Sequence, residues 1–249
     1  MRILLVADLH YTLPQLDWMV EAGPAFDVVV VAGDLLDFAS TVPLDAQAVV
    51  VLHYLALLDA STTLIVASGN HDLTGPDGAG EQAPLWLAEA QAAGIHTDGD
   101  SVLLGDTLVT VCPWWDGPVG RGEVARLLAR DAVRRPERWV WVYHWPPQGS
   151  PTCWTGRKDY GDPDLGSWID EYGPDIVLSG HVHQAAFTGS GSWADRIDDT
   201  WVFNAGRQIG RVPARVELDF DVDRARWVSI MGEQTCYLTD LGPPSHPIV

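Results

Sequence analysis

Residues 28–31 are four consecutive valines, flanked by Asp27 and Ala32 and followed by Gly33-Asp34. A short run that is β-branched throughout and apolar on both alternating faces fits a parallel strand covered by helices on each side. Neighbouring segments repeat the logic. Residues 2–7 and 62–67 read as strands, and 14–22, 42–58 and 84–93 read as helices, the last ended by Gly94. Strands alternating with helices imply βαβ units and a mostly parallel sheet.

The second half changes character. Residues 102–104 and 107–111, split by Gly105-Asp106, predict a hairpin. A charged helix is expected over 121–135, a strand over 139–143, a helix over 165–172 and a strand over 175–178. After that only strands are expected, near 185–189, 200–203, 214–220 and 225–231, with an irregular tail from Gly242 to Pro247. The Gly/Pro-rich stretches 73–83 and 145–164 read as surface loops. With no internal repeat, no low-complexity segment and no break in composition, residues 1–249 are read as a single domain. Its expected architecture is a four-layer α/β/β/α sandwich of two facing mixed β-sheets flanked by helices.

Charge narrows the range of partners. The sequence has 15 Lys+Arg against 34 Asp+Glu, a net charge of −19, and Lys158 is its only lysine. A broad basic surface for nucleic acid or an anionic membrane is therefore not expected. No apolar run approaches the ~18–20 residues of a membrane span. Cys112, Cys153 and Cys236 are odd in number and lack metal-type spacing, which points to a reducing compartment. The first apolar run ends at Asp8, too short for a signal-peptide core, so the expected location is cytoplasmic.

The polar residues fall at strand ends. Strand one ends in Asp8-Leu9-His10, strand two in Gly33-Asp34-Leu35-Leu36-Asp37, and strand three in Gly69-Asn70-His71-Asp72. The 139–143 strand runs into His144, and the 175–178 strand into Gly180-His181-Val182-His183. Ligands of open α/β sheets bind beyond the carboxyl ends of the strands, so these clusters should converge. Five of the eight histidines lie in them. Carboxylate, imidazole and amide oxygen without thiolate suit first-row divalent metals such as Mn, Fe, Zn, Ni or Co. In Asp-x-His and His-x-His, two side chains share one side of an extended backbone.

This ordered set resembles the calcineurin-like metallophosphoesterases, over roughly the first three quarters of the chain. The later Asn204-Ala205-Gly206-Arg207 is similar to a closing motif of many members. The resemblance implies two divalent ions, with manganese the favoured guess. Asp8, His10 and His183 would bind the first, Asn70, His144 and His181 the second, and Asp34 would bridge them. His71 would act on the phosphoryl or leaving oxygen, and Asp37 would hydrogen-bond His71 and fix its tautomer. The implied reaction is in-line attack by a hydroxide bridging the ions, on a small phosphate ester. Two dications, two aspartates and one hydroxide leave the site at about +1, able to hold a phosphate.

Plainer readings stand beside these. Asp8 and Asp34 could cap helices, Asn70 could serve a turn, and Asp37 could be a solvated carboxylate. Asp72 is expected in a local turn or cap role, with support of the His71 loop as the alternative. Trp114, Trp115 and Trp145, with Trp154 nearby, could form an aromatic wall for a planar group or simply pack their loops. Trp18, Trp86, Trp168 and Trp227 are expected in packing. Arg207, Arg157 and Lys158 are candidate substrate contacts. Arginines 121, 126, 130, 134, 135 and 138, interleaved with acids, read as a solvated helix face. His53, His96 and His246 read as structural or surface residues. A phosphodiesterase is the leading expectation. A phosphomonoesterase or pyrophosphate-bond hydrolase is the alternative, and a nuclease or non-catalytic interaction scaffold is disfavoured.

Overall fold

The computed structural model describes residues 1–134, 137–240 and 242. Arg135, His246 and the expected irregular tail beyond Gly242 lie outside the described residues. The first half consists of β1 (Arg2–Val6), α1 (Leu13–Ala22), β2 (Val28–Ala32), α2 (Leu44–Asp59), β3 (Thr63–Ala67), the two-residue strands β4 (Gly75–Pro76) and β5 (Gln82–Ala83), and α3 (Leu87–Ala92). Then come β6 (Ser101–Leu104), β7 (Thr107–Val111), α4 (Pro118–Ala132), β8 (Arg138–Val142), α5 (Pro163–Tyr172) and β9 (Ile176–Ser179). The chain continues through β10 (Ala194–Ile197), β11 (Thr200–Asn204), β12 (Arg215–Asp219), β13 (Arg224–Ser229) and β14 (Gly232–Tyr237).

Two six-stranded mixed sheets result, in the orders β14-β13-β12-β1-β2-β3 and β10-β11-β9-β8-β7-β6. β1, β2 and β3 are parallel, as are β7, β8, β9 and β11. The valine run shows how the layers form. Val28 and Val30 enter the core between the sheets with Val140, Val142 and Leu178, while Val29 and Val31 face Leu16, Val51 and Leu55 of α1 and α2. Period-two alternation thus supplies two cores from one strand. On the far side, Trp139, Trp141 and Val177 pack against Val124, Leu128, Leu165 and Ile169 of α4 and α5. The four-layer α/β/β/α order follows.

Three expectations change. Residues 185–189 are not a strand: Ala185–Phe187 is a 3-10 turn, and Phe187 reaches the Trp227 ring at 5.3 Å through that turn. The glycines at 189 and 191 reverse the chain, so the strand forms later, as β10. The expected 225–231 strand breaks at Ile230-Met231, where Gly232 (φ +119°) turns the chain into β14. β14 is an edge strand on which only Cys236 is buried, so it carries little apolar signal. The 73–83 loop contains the β4/β5 pair. The three cysteines are buried and free.

α4 is fixed to the sheet through one buried carboxylate. Asp131 accepts from the hydroxyls of Ser101 and Thr110 and from Arg130, with Arg134 also alongside. Replacing it by Ala leaves two hydroxyls and two guanidinium groups without their acceptor. Asp131→Ala should lower stability by about 2–4 kcal/mol, read as a reduced urea midpoint with unchanged slope.

Candidate metal centre

The site collects at the carboxyl ends of β1, β2, β3, β8 and β9. To aim side chains inward there, the backbone takes a conformation that L-residues avoid. Asp8, His10, Tyr11, Asp34 and His181 have φ of 57°, 43°, 54°, 58° and 67°. Such residues cost of the order of 1 kcal/mol each and concentrate at functional sites. Close approach needs glycine as well. A Cβ on Gly69 would lie 2.7 Å from both the Asp34 amide and His144 Nε2, and one on Gly33 (φ +90°) would lie 2.7 Å from His144 Cγ.

Two clusters form around a common carboxylate. Asp8, His10, Asp34 and His183 have ligand atoms within 4.8 Å of one another, and so do Asp34, His144 and His181. In the first, His10 Nε2 faces His183 Nε2 at 3.0 Å, His183 Nε2 is 3.3 Å from Asp8, and His10 Nε2 is 3.6 Å from Asp34. In the second, His144 Nε2 is 3.4 Å from Asp34, and His181 Nδ1 is 2.9 Å from Asn70 Oδ1. The structure therefore brings together all seven residues expected as ligands.

The donor set fits metal ions. Nδ1 of His144 bonds the Ala32 carbonyl as a donor, which leaves Nε2 as the nitrogen open to an ion. Nε2 of His144 and of His181 are buried and have no hydrogen-bond partner. Burial brings His10 down to about 4 against the pull of Asp34 and Asp8, and it brings His181 down to about 3, helped by the charge of His144. Burial also opposes charge on His144, but Asp34 and Asp8 outweigh it and lift that imidazole to about 9. Burial likewise works against the Asp34 and Asp8 carboxylates. The facing histidines, His144 for Asp34 and His183 for Asp8, still hold them below the usual carboxylate range. Two ionised carboxylates beside the neutral His10 and His181 imidazoles, with His144 holding a proton that a cation could replace, are a centre prepared for cations.

Asp72 supplies the scaffold. Fully buried, it accepts the amides of Asp34, Leu35, Leu36 and Gly69 at 2.8–3.0 Å. Its part is wider than the local turn or cap expected, because it joins the β2 and β3 loops. His71 and Asp37 also meet, but Nδ1 to carboxylate is 3.9 Å and Nδ1 has no partner, so the expected hydrogen bond is not made. Instead His71 stacks on Phe38, with ring centroids 3.7 Å apart and planes 11° apart. Phe38 is 60% exposed.

The tryptophans form a wall on the opposite side. Trp114 stacks on Trp145 at 5.2 Å and stands 5.7 Å from His144 and 5.3 Å from His181. Trp115 tilts against Trp145 at 6.3 Å, while Trp154 bridges to Asp159 in the loop. Tyr160 stacks on His181 at 5.1 Å, with Lys158 Nζ 5.0 Å above it. Arg207 donates Nε to the Asp8 carbonyl, so it supports the metal loop. Arg157 is exposed. Phe38 and Tyr160 were not expected. Position alone marks Phe38, directly after Asp37, and Tyr160 carries no sequence signal. His53 is exposed on α2, and His96 pairs with Ile65 at the sheet margin, both away from the centre. The helix-face arginines are paired with acids, Arg121 with Asp164 and Arg126 with Glu123.

A sandwich of this kind with paired His/Asp clusters at its strand ends defines a metallophosphoesterase type of fold. The chain belongs to that family: the family model for calcineurin-like phosphoesterases matches residues 1–185. Among solved structures, a dimetal phosphatase from Danio rerio is similar at TM-score 0.59 and 14% identity, over 96% of this chain and 99% of that one. The TT1561 protein of Thermus thermophilus gives a TM-score of 0.56 and 14% identity, over 95% of this chain and 98% of that one. A purple acid phosphatase from yellow lupin (Lupinus luteus) seeds gives 0.55 and 15%, over 96% of this chain and 52% of that one. At these identities the likeness is one of fold. No curated protein matches. Family membership implies a metal-dependent phosphoester hydrolase. Among the described residues no helix is long and apolar enough to cross a membrane.

Linked to Trp114 through Ser68 is another acid, half-buried, with one oxygen sealed from solvent. Asp98 accepts the Ser68 amide at 2.9 Å, and burial pushes its carboxyl up to about 7. Its folded value lies above the ordinary 3.8, so its stability contribution is full below about 4 and is lost as pH rises through about 7. Wild-type stability should fall over that window by urea unfolding, and Asp98→Asn should flatten the fall.

Proposed function

We propose that the chain is a binuclear phosphoesterase that hydrolyses a small phosphodiester, with residues 1–249 acting as one domain. The observation that carries the reading is that the Asp34 carboxylate belongs to both His/Asp clusters. In this reading Asp8, His10 and His183 hold one ion, and Asn70, His144 and His181 hold the other. Asp34 serves both. Two divalent ions, manganese the first to try, would supply Lewis acidity toward phosphoryl oxygens and an acidified water as nucleophile.

The chain's own groups do the rest. Ala32 fixes the tautomer of His144, so its lone pair is presented inward. His71 stands 4.3 Å from the His10 ring and groups with His10 and Asp37 rather than with Asp34; in this reading it holds no metal. Burial lowers its imidazole against the pull of Asp34 and Asp37, so in this reading the negative charge of the ester restores the proton that His71 gives to the departing oxygen. Trp114, Trp145 and Tyr160 around His181 offer apolar faces to the organic part of the ester. A diester carries one negative charge at phosphorus. That suits a centre left at about +1 in a chain of −19 better than a dianionic monoester does.

The test is metal removal, reconstitution with Mn, Fe, Zn, Ni or Mg, and turnover of a generic diester, a generic monoester, cyclic nucleotides and single-stranded DNA. The diester should be preferred by roughly tenfold, and a monoester preference overturns that choice. His71→Ala should keep the metal content of the wild type while kcat falls roughly 10²–10⁴-fold. Loss of metal from that variant would reassign His71 as a ligand.

A further inference from the structure

The task proposed for His71 falls to an imidazole that no hydrogen bond steadies at Nδ1. That atom is shut off from solvent without a partner, and the nearby Asp37 carboxylate stops at 3.9 Å. The backbone amide of His71 is fixed, donating to Asp34 at 2.8 Å, but two side-chain torsions separate it from the ring. A proton donor works only while its reach and alignment are kept, so something else has to hold this ring.

Asp37 is committed elsewhere. Its Oδ1 accepts the Ala39 amide at 2.9 Å. Gln47, fully buried on α2, accepts the Asp37 amide on Oε1 at 2.8 Å. Its Nε2 donates to the carbonyls of Asp37 and Val42 at 2.9 and 2.7 Å. The Ser40 amide also donates to the Asp37 carbonyl, and Ser40 Oγ accepts the Val42 amide, at 3.1 Å each. The loop from Asp37 to Val42 is thus anchored on one buried amide side chain, and Phe38 leaves it from a fixed backbone.

Burial does not explain where the Phe38 ring lies, because it is 60% exposed and gains little from the hydrophobic effect. Its contact with His71 does. The two rings are nearly parallel, with planes 11° apart and centroids 3.7 Å apart. The His10 ring meets the same imidazole at a right angle from 4.3 Å. Two rings therefore flank His71, one carried by the anchored loop and the other by a candidate metal ligand.

We infer that Phe38 is a positioning residue for His71: its ring, set through Gln47, keeps the imidazole turned so that Nε2 serves the departing oxygen. The inference rests on the hydrolase reading. There the bond from phosphorus to that oxygen breaks as the new P–O bond forms, and the proton on Nε2 passes to the oxygen that leaves. Phe38 acts only through His71.

The experiment uses the metal-reconstituted full chain and two methyl phosphodiesters, one releasing p-nitrophenol and the other p-nitrobenzyl alcohol. The phenol departs as a stable anion and gains little from a proton donor, whereas the benzyl alcohol needs the proton. Phe38→Ala should lower kcat on the p-nitrobenzyl ester roughly ten- to hundredfold with KM unchanged, and on the p-nitrophenyl ester by no more than about threefold. Phe38→Tyr, which keeps a ring, should restore most of the loss. In a His71→Ala background, Phe38→Ala should cost less than about twofold on either ester. Metal content should match the wild type throughout. In the zinc-loaded chain the His71 ring protons, identified by their loss in His71→Ala, should lie upfield in proton NMR under the Phe38 ring current and move downfield in Phe38→Ala. No loss on the p-nitrobenzyl ester, an equal loss on both esters, a change confined to KM, or an undiminished loss in the His71→Ala background overturns the positioning role and leaves the hydrolase reading standing. Unmoved His71 ring protons overturn it as well. If the wild type turns over neither ester with any metal, the hydrolase reading falls, and the ring protons alone decide whether Phe38 holds His71.

Discussion

Four backbone amides converge on the buried Asp72 carboxylate, and the rest of the centre takes its dimensions from that contact. Three come from the loop after β2 and one from Gly69 after β3, so two adjacent strand ends are held to one spacing. Asp34 returns the link by accepting the His71 amide at 2.8 Å. The Trp86 indole in turn holds the Asp72 carbonyl at 3.0 Å. Burial and the nearby charge of Asp34 push the Asp72 carboxyl up to about 7, and the amides work against that push. An apolar residue at this position would strand four donors in the interior at once.

That clasp works only because the sheets behind it do not yield. Five non-glycine residues in left-handed conformation are a local cost, and it is offset by strands buried on both faces. The two sheets are also joined at the centre itself. The His181 amide, on the second sheet, donates to both Asp8 oxygens, on the first, at 3.0 and 3.1 Å. Gly180 permits this, since a Cβ there would fall 2.8 Å from Asp8 Oδ2. Inter-sheet packing and ligand geometry are therefore one constraint.

What could be read from the sequence was what repeats locally. The valine run, the βα alternation and the polar clusters after strands are short-range patterns, and they located Asp8, His10, Asp34, Asn70, His71, His144, His181 and His183 together. Features decided by distant partners were not legible. Asp72 looks like a turn residue until the β2 loop folds over it. Phe38 and Tyr160 acquire meaning only when the rings of His71 and His181 arrive beside them. β14 stays silent because Glu233 and Thr235 face outward on an edge while the inward Gln234 is polar and accepts from the Trp193 indole, and 185–189 misleads because its apolar residues enter the core through a turn.

Charge closes the argument. Among the described residues many arginines of this acidic chain are employed as ties: Arg121 to Asp164, Arg130 and Arg134 to Asp131, Arg211 to Glu21, and Arg215 and Arg226 to Glu217. Arg207, close to the centre, gives its Nε to a backbone carbonyl of the Asp8 loop. Lys158, the sole lysine, rests over Tyr160. In the proposed reading, most of the attraction for a phosphate would then come from the metal ions held at the centre. Asp8 and Asp34 would draw them in, and without them the same two carboxylates would repel a phosphate anion. The order follows from the signs: ions first, ester second.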